Sequence, residues 1–379
     1  MLAAVLYGQE DLRLEQQAPP VPGPGEVLLR VTAATTCGTD LKVWRRGGHA
    51  KMLKPPTRFG HEGAGHIAAL GDGVTGWQVG DRVVANNSAP CMDCFFCQRQ
   101  EYSLCTQLVF NNGTFAEFLT IPAPIVQHNL LPIPEGMSDA IAAMTEPLAC
   151  VLHGLSRSNI QSGDRVVILG DGAIGLMFVA ALSLGYGVGG RGGEAERTKN
   201  EERKTELLRS SFFSLPSRQH ANMPCEIFLF GGSSTRLQVG EAFGASQGFN
   251  HRQVADVPGL VKSLTNGWGA DVVIEATGVP SVWEQAIACV RPGGTVNLFG
   301  GCPRDTTITL STEQLHYSEL TLKGVFHSTP RHVRDALAML AAGDRPFEKL
   351  ISDERPLKDL QQTFYDMRDR TVIKVAMRP

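Results

Sequence analysis

Several features are scarce in this sequence, and each scarcity disfavours a class of protein. The 35 basic and 38 acidic side chains give a formal net charge of only −3, so no positive excess favours nucleic acid or an anionic membrane. The longest nearly uncharged apolar run, Ala173 to Gly185, is too short to span a bilayer. The N-terminal segment becomes acidic too early for a secretory signal peptide. We therefore expect a cytoplasmic protein that binds neither nucleic acid nor membranes.

A disulfide framework is disfavoured as well, because the cysteines are odd in number and clustered. Four of the nine lie within fifteen residues, at Cys91, Cys94, Cys97 and Cys105. This Cys-x2-Cys-x2-Cys-x7-Cys array can bring four thiolates around one tetrahedral zinc. An iron–sulfur cluster also uses four cysteines, but its usual spacings differ. We predict a structural zinc lobe over residues 91–105.

A second group of metal-binding residue types is spread more widely along the chain. Cys37, His61 and Glu62 offer one thiol, one imidazole and one carboxylate. Three protein ligands with a fourth position open to water are typical of a catalytic zinc, whereas structural zinc sites are closed. The same residues could equally be a buried thiol, a core histidine and a structural carboxylate. These three residues alone do not decide between the two interpretations.

The hydrophobic pattern divides the chain into two kinds of unit, and the fold class is α/β overall. Many short strands separated by glycine turns precede the first helix signal, which predicts an all-β, barrel-like unit. Farther along, buried apolar strands alternate with helices, which is typical of a doubly wound parallel sheet. The strand Thr371 to Val375 is expected to return to the first unit. A chain of 379 residues is long enough for such domains.

A glycine-rich motif follows the first strand of the second unit. It consists of Gly170, Asp171, Gly172, Ala173, Ile174 and Gly175. In a dinucleotide-binding fold the first glycine allows a tight turn, the second lets the backbone approach the pyrophosphate, and the third permits close helix–strand packing. The helix that follows offers free N–H groups to the phosphates. An ordinary glycine turn is the alternative, but the position between strand and helix favours a dinucleotide site.

Taken together, these motifs resemble the zinc-dependent medium-chain alcohol dehydrogenases, and the polyol and threonine dehydrogenase branch in particular. The resemblance rests on Cys37-Gly38-Thr39-Asp40, Gly60-His61-Glu62, the four-cysteine lobe, Asn112 to Phe118 and Thr145 to Cys150. It implies a GroES-like, β-barrel-type catalytic domain over residues 1–155 and a Rossmann NAD(P)-binding domain over residues 156–326. Residues 327–379 would return to the catalytic domain. Relatives are dimers or tetramers, so a homodimer or homotetramer is expected.

The resemblance also implies a reaction, the reversible oxidation of a secondary alcohol or polyol to a carbonyl with NAD(P) as acceptor. The expected metals are one catalytic and one structural zinc. Cys37 and His61 would hold the catalytic ion, with either Glu62 or Glu146 as the third ligand.

Three further residues near Cys37 are expected to act in catalysis. Thr39 would relay the hydroxyl proton, and Asp40 would orient its neighbours. Lys42 stands where many relatives have a histidine, which makes the outer part of the proton path atypical.

The cofactor unit departs from the family pattern in one segment. About forty extra residues, near 186–225, separate the first helix from the strand Glu226 to Phe230. Structureless loops of this length are uncommon in compact domains. One interpretation is a mobile surface insertion; the interpretation we favour is a gene-model fault such as a retained intron. Sequencing the mature transcript distinguishes the two.

The end of that displaced strand bears on the choice of cofactor. In this fold an acid at the end of the second strand holds the adenosine ribose, but no acid stands in the residues Gly231 to Arg236 that follow this strand. Ser233 and Arg236 occupy this region instead and suit the 2′-phosphate of NADP better than NAD, although Arg236 could also be a solvated helix residue. Thr277, which follows the strand beginning at Asp271, is a further expected cofactor contact.

Two other functions compete with the dehydrogenase. The first is an inactive homologue that binds nucleotide and keeps only the structural zinc. The second is a zinc-independent reductase, against which Cys37, His61 and Glu62 argue. The sequence does not select among polyols, amino alcohols and simple alcohols as substrate.

Overall fold

A computed structural model describes residues 1–49, 52–190 and 225–379 of the chain. The extra segment expected near 186–225 lies outside the described residues except at its two ends.

The described ranges contain eighteen strands and twelve α-helices. The strands are β1 Leu2–Gly8, β2 Asp11–Gln16, β3 Val27–Thr35, β4 Thr57–Arg58, β5 Gly63–Leu70, β6 Arg82–Ala85, β7 Ser88–Ala89, β8 Val109–Phe110, β9 Phe118–Ile121, β10 Leu130–Pro132, β11 Arg165–Leu169, β12 Glu226–Gly231, β13 Gln247–Asn250, β14 Ala270–Glu275, β15 Val290–Leu298, β16 Thr321–Gly324, β17 Ile351–Pro356 and β18 Lys374–Arg378. The helices are α1 Gly38–Arg46, α2 Phe95–Gln98, α3 Ala123–Asn129, α4 Asp139–Ala143, α5 Thr145–Ser156, α6 Ala173–Ser183, α7 Ser234–Ala242, α8 Val257–Leu264, α9 Pro280–Cys289, α10 Thr312–Tyr317, α11 Pro330–Ala342 and α12 Leu360–Arg368. Among these helices, none has the length and apolar character needed to cross a lipid bilayer.

The first unit is built mainly from strands, as predicted, and its neighbouring strands are antiparallel except for the parallel pair β17 and β18. Its largest sheet has the order β10-β6-β5-β3-β18-β17, with β9 also paired to β3, and a smaller sheet has the order β2-β1-β4. Aromatic rings fill the core between them: Phe364 lies 5.6 Å from Trp44 and 5.9 Å from Phe59, measured between ring centroids. Such offset and edge contacts add to the stability gained by burial.

The last strand of the chain joins the sheet of the first unit. Strand β18 pairs antiparallel with β3, with Ala376 opposite Thr35. The strand begins at Lys374, three residues later than predicted, because Thr371 still belongs to the preceding turn, where its N–H donates to the Asp366 carbonyl. The domain boundaries at 155/156 and 326/327 stay predictions.

The second unit is a six-stranded sheet in the order β13-β12-β11-β14-β15-β16, and every neighbouring pair is parallel. Strand β12 pairs with β11 in the register Arg165 opposite Glu226, so the predicted second strand does take its place after the extra segment. Helix α6 is buried from Gly175 to Ser183. The doubly wound parallel sheet is therefore confirmed.

The Ala-rich, apolar periodicity of residues 138–160, with Ser138 or Asp139 as a possible cap, predicts one helix, but the structure has two. Ser138 caps α4, its hydroxyl accepting the Ile141 N–H, as expected. The helix is interrupted at Met144 because Pro147 has no N–H to donate to the Ala143 carbonyl. A new helix, α5, therefore begins at Thr145, which places Glu146 in its first turn.

Candidate metal and cofactor sites

The first metal-binding residue, Cys37, is fixed by the start of helix α1. Cys37 is the N-cap, and its sulfur accepts the Thr39 N–H at 3.4 Å. The Asp40 side chain reaches back and accepts the Cys37 N–H at 2.9 Å, which completes a reciprocal capping box. The thiol is therefore held in place at a helix N-terminus. Thr39 lies half-buried in the same turn, beside Cys37.

His61 and Glu62 directly precede strand β5, and Asp40 orients the imidazole. The Asp40 carboxylate lies 2.9 Å from His61 Nδ1, so Nε2 is the atom left for a metal. Burial by itself lowers the pKa of His61, but the charges and hydrogen bonds of Asp40 and Cys37 together outweigh burial and raise that pKa well above its usual value. Gly60 makes the turn possible with φ +91°, and a β-carbon there would lie 2.6 Å from the Phe115 ring.

Glu62 is fully buried, and only one of its two oxygens has a partner. Oε2 accepts from Lys374 Nζ at 2.6 Å and from the Thr35 hydroxyl, whereas Oε1 has no hydrogen-bond partner. Burial alone lowers the pKa of Lys374, but the Glu62 and Cys37 charges outweigh it and leave that pKa raised. Sequence reasoning missed Lys374, although a charged residue within the apolar segment Val372 to Met377 could have signalled it.

These three residues form a compact donor group. One ligand atom each from Cys37, His61 and Glu62 lies within 4.8 Å of the other two. Sulfur, nitrogen and oxygen donors in this number are those of an open zinc site, and a cation would satisfy the unpartnered Glu62 Oε1. The residues therefore fit the zinc that the resemblance implies.

Glu146 lies in a neighbouring group, not with Cys37 and His61. Its Oε1 is 3.7 Å from Cys150 Sγ, which in turn is 4.0 Å from His327 Nδ1. Burial raises the pKa of Glu146 to about 7, and Glu62 adds to the rise while His61 opposes it, so the two groups adjoin. In this arrangement Glu62 is the carboxylate placed to act as third ligand. Sequence reasoning missed His327 because it follows β16, far along the chain.

The four-cysteine lobe has the geometry of a closed zinc site. Its sulfur atoms are 3.5 to 3.9 Å apart along four edges of the group formed by Cys91, Cys94, Cys97 and Cys105. Tetrahedral bonds of about 2.3 Å to zinc require sulfur separations near 3.8 Å. Hydrogen bonds from backbone N–H groups lower the pKa of Cys94 to about 5, which favours a thiolate. The lobe therefore fits the structural zinc.

The glycine motif leaves room for a pyrophosphate. Gly170 adopts φ +125°, and a β-carbon on Gly175 would collide with the Gly170 carbonyl oxygen, so both positions require glycine. Gly172, the N-cap of α6, faces open space at its β-carbon position. Ala173 and Ile174 form the first turn, whose free N–H groups can bind a phosphate. The motif therefore fits a dinucleotide.

Two residues from different units meet beside this motif. Thr277 Cγ2 lies 3.1 Å from the β-carbon position of Gly170. The Thr277 carbonyl accepts a hydrogen bond from Lys42 Nζ at 3.1 Å, and burial lowers the pKa of that lysine. The Glu275 carboxylate holds Thr277 from the other side, accepting its N–H at 2.6 Å. Lys42 thus spans the cleft to the cofactor unit.

At the end of the second strand, β12, the expected residues are held by the protein itself. Ser233 caps α7, its hydroxyl accepting the Arg236 N–H at 3.5 Å. The Arg236 guanidinium donates to the Val372 carbonyl at 2.6 Å, so the side chain is not simply solvated. The Asp171 carboxylate accepts the N–H groups of Gly232 and Ser233 at 2.8 and 2.9 Å.

Three basic side chains that sequence reasoning missed surround the same turn. His251 Nε2, Arg370 Nη1 and Arg252 Nε lie 3.1, 3.4 and 3.5 Å from the position a β-carbon on Gly232 would take. All three residues are exposed. His251 and Arg252 are adjacent, whereas Arg370 lies 118 residues farther along the chain, so no spacing rule in the sequence could have grouped all three. We call His251, Arg252 and Arg370 the basic cluster.

Comparisons with known proteins agree with this architecture. Residues 23–135 match the alcohol dehydrogenase GroES-like domain, and residues 220–342 match the zinc-binding dehydrogenase family. The chain is 30% identical to the erythritol/L-threitol dehydrogenase of Mycolicibacterium smegmatis, over 96% of this chain and 92% of that protein. It is also 30% identical to the L-threonine 3-dehydrogenase of Pyrococcus horikoshii, over 86% of this chain and 81% of that protein.

The structural comparison covers the whole fold. The solved structure of alcohol dehydrogenase TADH from Thermus sp. ATN1 spans 100% of this chain and 99% of its own, at 25% identity and a TM-score of 0.78. Both sheets and the glycine motif are thus accounted for by one known architecture, and both metal-donor groups are of the kind such enzymes use. The chain belongs to the zinc-binding medium-chain alcohol dehydrogenase family.

Proposed function

We propose that the chain reversibly oxidises a secondary hydroxyl group of a polyol to a ketone, with a nicotinamide dinucleotide as hydride acceptor. The observation that carries this proposal is the buried, unpartnered Glu62 Oε1 beside the donor atoms of Cys37 and His61. Cys37, His61 and Glu62 would hold the catalytic zinc. A zinc ion in that position acts as a Lewis acid toward an alcohol oxygen.

The surrounding residues prepare this group. Asp40 keeps the His61 Nδ1 atom occupied and so presents Nε2 in one tautomer. Lys374 compensates the charge of Glu62, which would otherwise be buried without a partner. The Cys37 position is set by the helix cap, not by a mobile loop. Preorganised donors of this kind lower the cost of binding the metal and the substrate.

The proposed chemistry removes a proton and a hydride from the same alcohol. The hydroxyl proton passes to Thr39, which adjoins Cys37, and from there toward solvent. Lys42 borders the outer path, and its lowered pKa makes the ammonium a better proton donor than an ordinary lysine. A nicotinamide dinucleotide, whose pyrophosphate would rest on the glycine motif, would supply the acceptor for the hydride of the carbinol carbon.

A polyol is the proposed substrate because an uncharged hydroxyl-rich molecule suits the available contacts. The erythritol/L-threitol relative spans nearly the whole chain. An amino acid substrate such as threonine needs a cation for its carboxylate, and the ammonium of Lys374 is already bound to Glu62 while that of Lys42 is bound to the Thr277 carbonyl. Neutral hydroxyl groups make no such demand.

A substrate panel tests the proposal. Erythritol, L-threitol, sorbitol, L-threonine and 2-propanol are each offered with NAD or NADP, and nicotinamide absorbance reports turnover. We expect the highest kcat/KM with a polyol. A higher value with L-threonine or 2-propanol would contradict the substrate assignment. Absence of turnover with the entire panel would favour the inactive homologue.

We propose NADP as the preferred cofactor. The basic cluster and Arg236 surround the end of β12, where the adenosine ribose is held in this fold. Cationic and hydroxyl side chains there suit a 2′-phosphate. Asp171 already occupies the Gly232 and Ser233 N–H groups, so those two donors do not serve the phosphate. Comparing KM for the two cofactors tests this proposal, and a lower KM for NAD would refute it.

Metal content distinguishes the enzyme from the inactive homologue with only a structural zinc. The two donor groups described above predict two tightly bound zinc ions per chain, of which Cys37→Ser removes one. A wild-type chain that binds only one zinc, with the same content in Cys37→Ser, would favour the inactive homologue.

Two further expectations remain proposals. All nine cysteines are free of disulfides, which suits a reducing compartment such as the cytoplasm. A homodimer or homotetramer is proposed for the assembly, and light scattering of the purified chain would measure its mass.

A further inference from the structure

We propose that Glu146, Cys150 and His327 form an additional site for a thiophilic divalent cation such as zinc, adjoining the catalytic group. This site is distinct from the four-cysteine lobe and from the Cys37, His61 and Glu62 group. It does not require the proposed reaction to be correct, because it rests on the donors alone.

The separations of the donor atoms suit one metal ion. One ligand atom each from Glu146, Cys150 and His327 lies within 4.8 Å of the other two. Glu146 Oε1 is 3.7 Å from Cys150 Sγ, and Cys150 Sγ is 4.0 Å from His327 Nδ1. Bonds of about 2.0 to 2.3 Å in tetrahedral directions place such donors roughly 3.5 Å apart. A contraction of a few tenths of an ångström in the two separations that involve Cys150 would bring them to this value.

His327 is held with the donor nitrogen facing the thiol. The Ser88 hydroxyl hydrogen-bonds to His327 Nε2, which leaves Nδ1 toward Cys150. The His327 backbone carbonyl accepts a hydrogen bond from His153 Nδ1 at 2.8 Å. The residue also adopts φ +61°, a left-handed conformation that is uncommon outside glycine and asparagine. A hydrogen bond to the remote ring nitrogen is the usual support of a metal-binding histidine.

The elements that carry the donors are rigid on one side and belong to different units. Glu146 and Cys150 are one turn apart on α5, so they project from the same face of that helix. His327 follows β16, at the carboxyl end of a strand of the parallel sheet. Ligands in such sheets bind at the carboxyl ends of the strands. The site therefore lies at the cleft between the two units.

Glu146 links this site to the catalytic group. Its charge interacts with both His61 and Glu62, and that of Cys150 with Cys37, so the two groups adjoin. A cation held by Glu146, Cys150 and His327 would stand in the cleft beside the catalytic zinc and restrict the entry of substrate. We therefore expect excess zinc to inhibit turnover through this site.

Counting bound zinc on the full-length protein tests the assignment. Wild type, Cys150→Ala and His327→Asn are equilibrated over a series of buffered free Zn²⁺ concentrations, and asparagine is chosen because it tolerates the left-handed backbone. Wild type should reach three ions per chain, and each variant should stop at two. Cys289→Ala removes a buried thiol from the core of the parallel sheet and should still reach three. Equal zinc content in wild type and both site variants at every concentration would overturn the proposal.

Cobalt provides a second readout that does not depend on activity. Co²⁺ titrated into zinc-loaded wild type should add a thiolate-to-cobalt charge-transfer band that Cys150→Ala lacks and that Cys37→Ser retains. The Cys37→Ser result separates this proposal from the catalytic one, since only the latter needs Cys37. Ser88→Ala should weaken the additional ion about 10- to 100-fold, by releasing the imidazole. A band that persists in Cys150→Ala would overturn the assignment, as would an affinity unchanged by Ser88→Ala.

Discussion

The four-cysteine lobe and the group of Cys37, His61 and Glu62, called the catalytic group, both have the donors of a metal site, but they are built in opposite ways. The lobe takes all its donors from residues 91–105, and its four sulfurs surround one point. The catalytic group combines a helix cap, the residues before β5 and support from β18, and it leaves a carboxylate oxygen unpartnered. A closed site made from one segment braces the chain, whereas an open site assembled from distant segments can admit a substrate.

Replacing one cysteine in each site should show the difference between the two sites most clearly. Cys37→Ser should reduce turnover to background while the melting temperature changes by less than about 4 °C, because the helix cap can be kept by a serine hydroxyl. Cys97→Ser should have the opposite character, with the structural zinc lost and cleavage by protease within residues 91–105. Activity assays, thermal melts and mass spectrometry of the fragments provide the measurements. Retained turnover in Cys37→Ser would rule out its assignment as a ligand.

The difference between the two sites also explains what sequence alone could predict. The lobe follows from local spacing, and so do the glycine motif and the cap at Ser138. The contacts of Lys374 with Glu62 and of His327 with Cys150 could not be predicted, because the two residues of each pair lie more than 170 residues apart in the chain. For the same reason, the sequence could not decide whether Glu62 or Glu146 is the third ligand. Only the fold shows that Glu146 adjoins Cys150 instead of completing the Cys37 group. The interruption of the helix before Pro147, in contrast, can be predicted from the sequence, because a proline has no N–H to donate.

The buried ion pair between Glu62 and Lys374 provides the next test. Lys374→Met keeps the apolar stem but leaves the Glu62 carboxylate without its partner, and both side chains are essentially inaccessible to water. Removing one partner of such a pair costs about 3–5 kcal/mol in the free energy of unfolding. Zinc should reduce the loss, since a cation at Oε1 compensates the same charge.

Urea unfolding with and without zinc measures both effects. The double variant Glu62→Gln, Lys374→Met serves as the control, because it removes both charges and should recover most of the lost stability. A loss of less than about 1 kcal/mol in Lys374→Met would show that the pair is not a buried charge pair in solution.

A smaller effect is expected at Asp40, which supports the catalytic group from outside. Asp40→Asn keeps the size of the side chain but weakens its hold on His61 Nδ1 and on the Cys37 N–H. Loss of such a partner typically lowers metal affinity about 10- to 100-fold. Competition with a zinc chelator should reveal this loss at the catalytic ion alone, with the lobe ion unchanged. Equal weakening of both ions would indicate a general loss of stability.

The smallest expected effect lies at the basic cluster, where side chains from two segments would contact the cofactor without touching either metal group. Arg252→Gln and Arg370→Gln, combined in one chain, should raise KM for NADP about 10-fold. Each charged hydrogen bond to a phosphate contributes roughly 1–3 kcal/mol to binding. The remaining Arg236 should limit the loss of affinity. KM for NAD, which has no 2′-phosphate, should change less than twofold. Arg331→Gln is the matched control, since Arg331 is an exposed arginine paired with Asp335 on α11, away from this turn. An equal rise in KM for both cofactors would indicate that the basic cluster contacts the part of the dinucleotide that NAD and NADP share, not the 2′-phosphate.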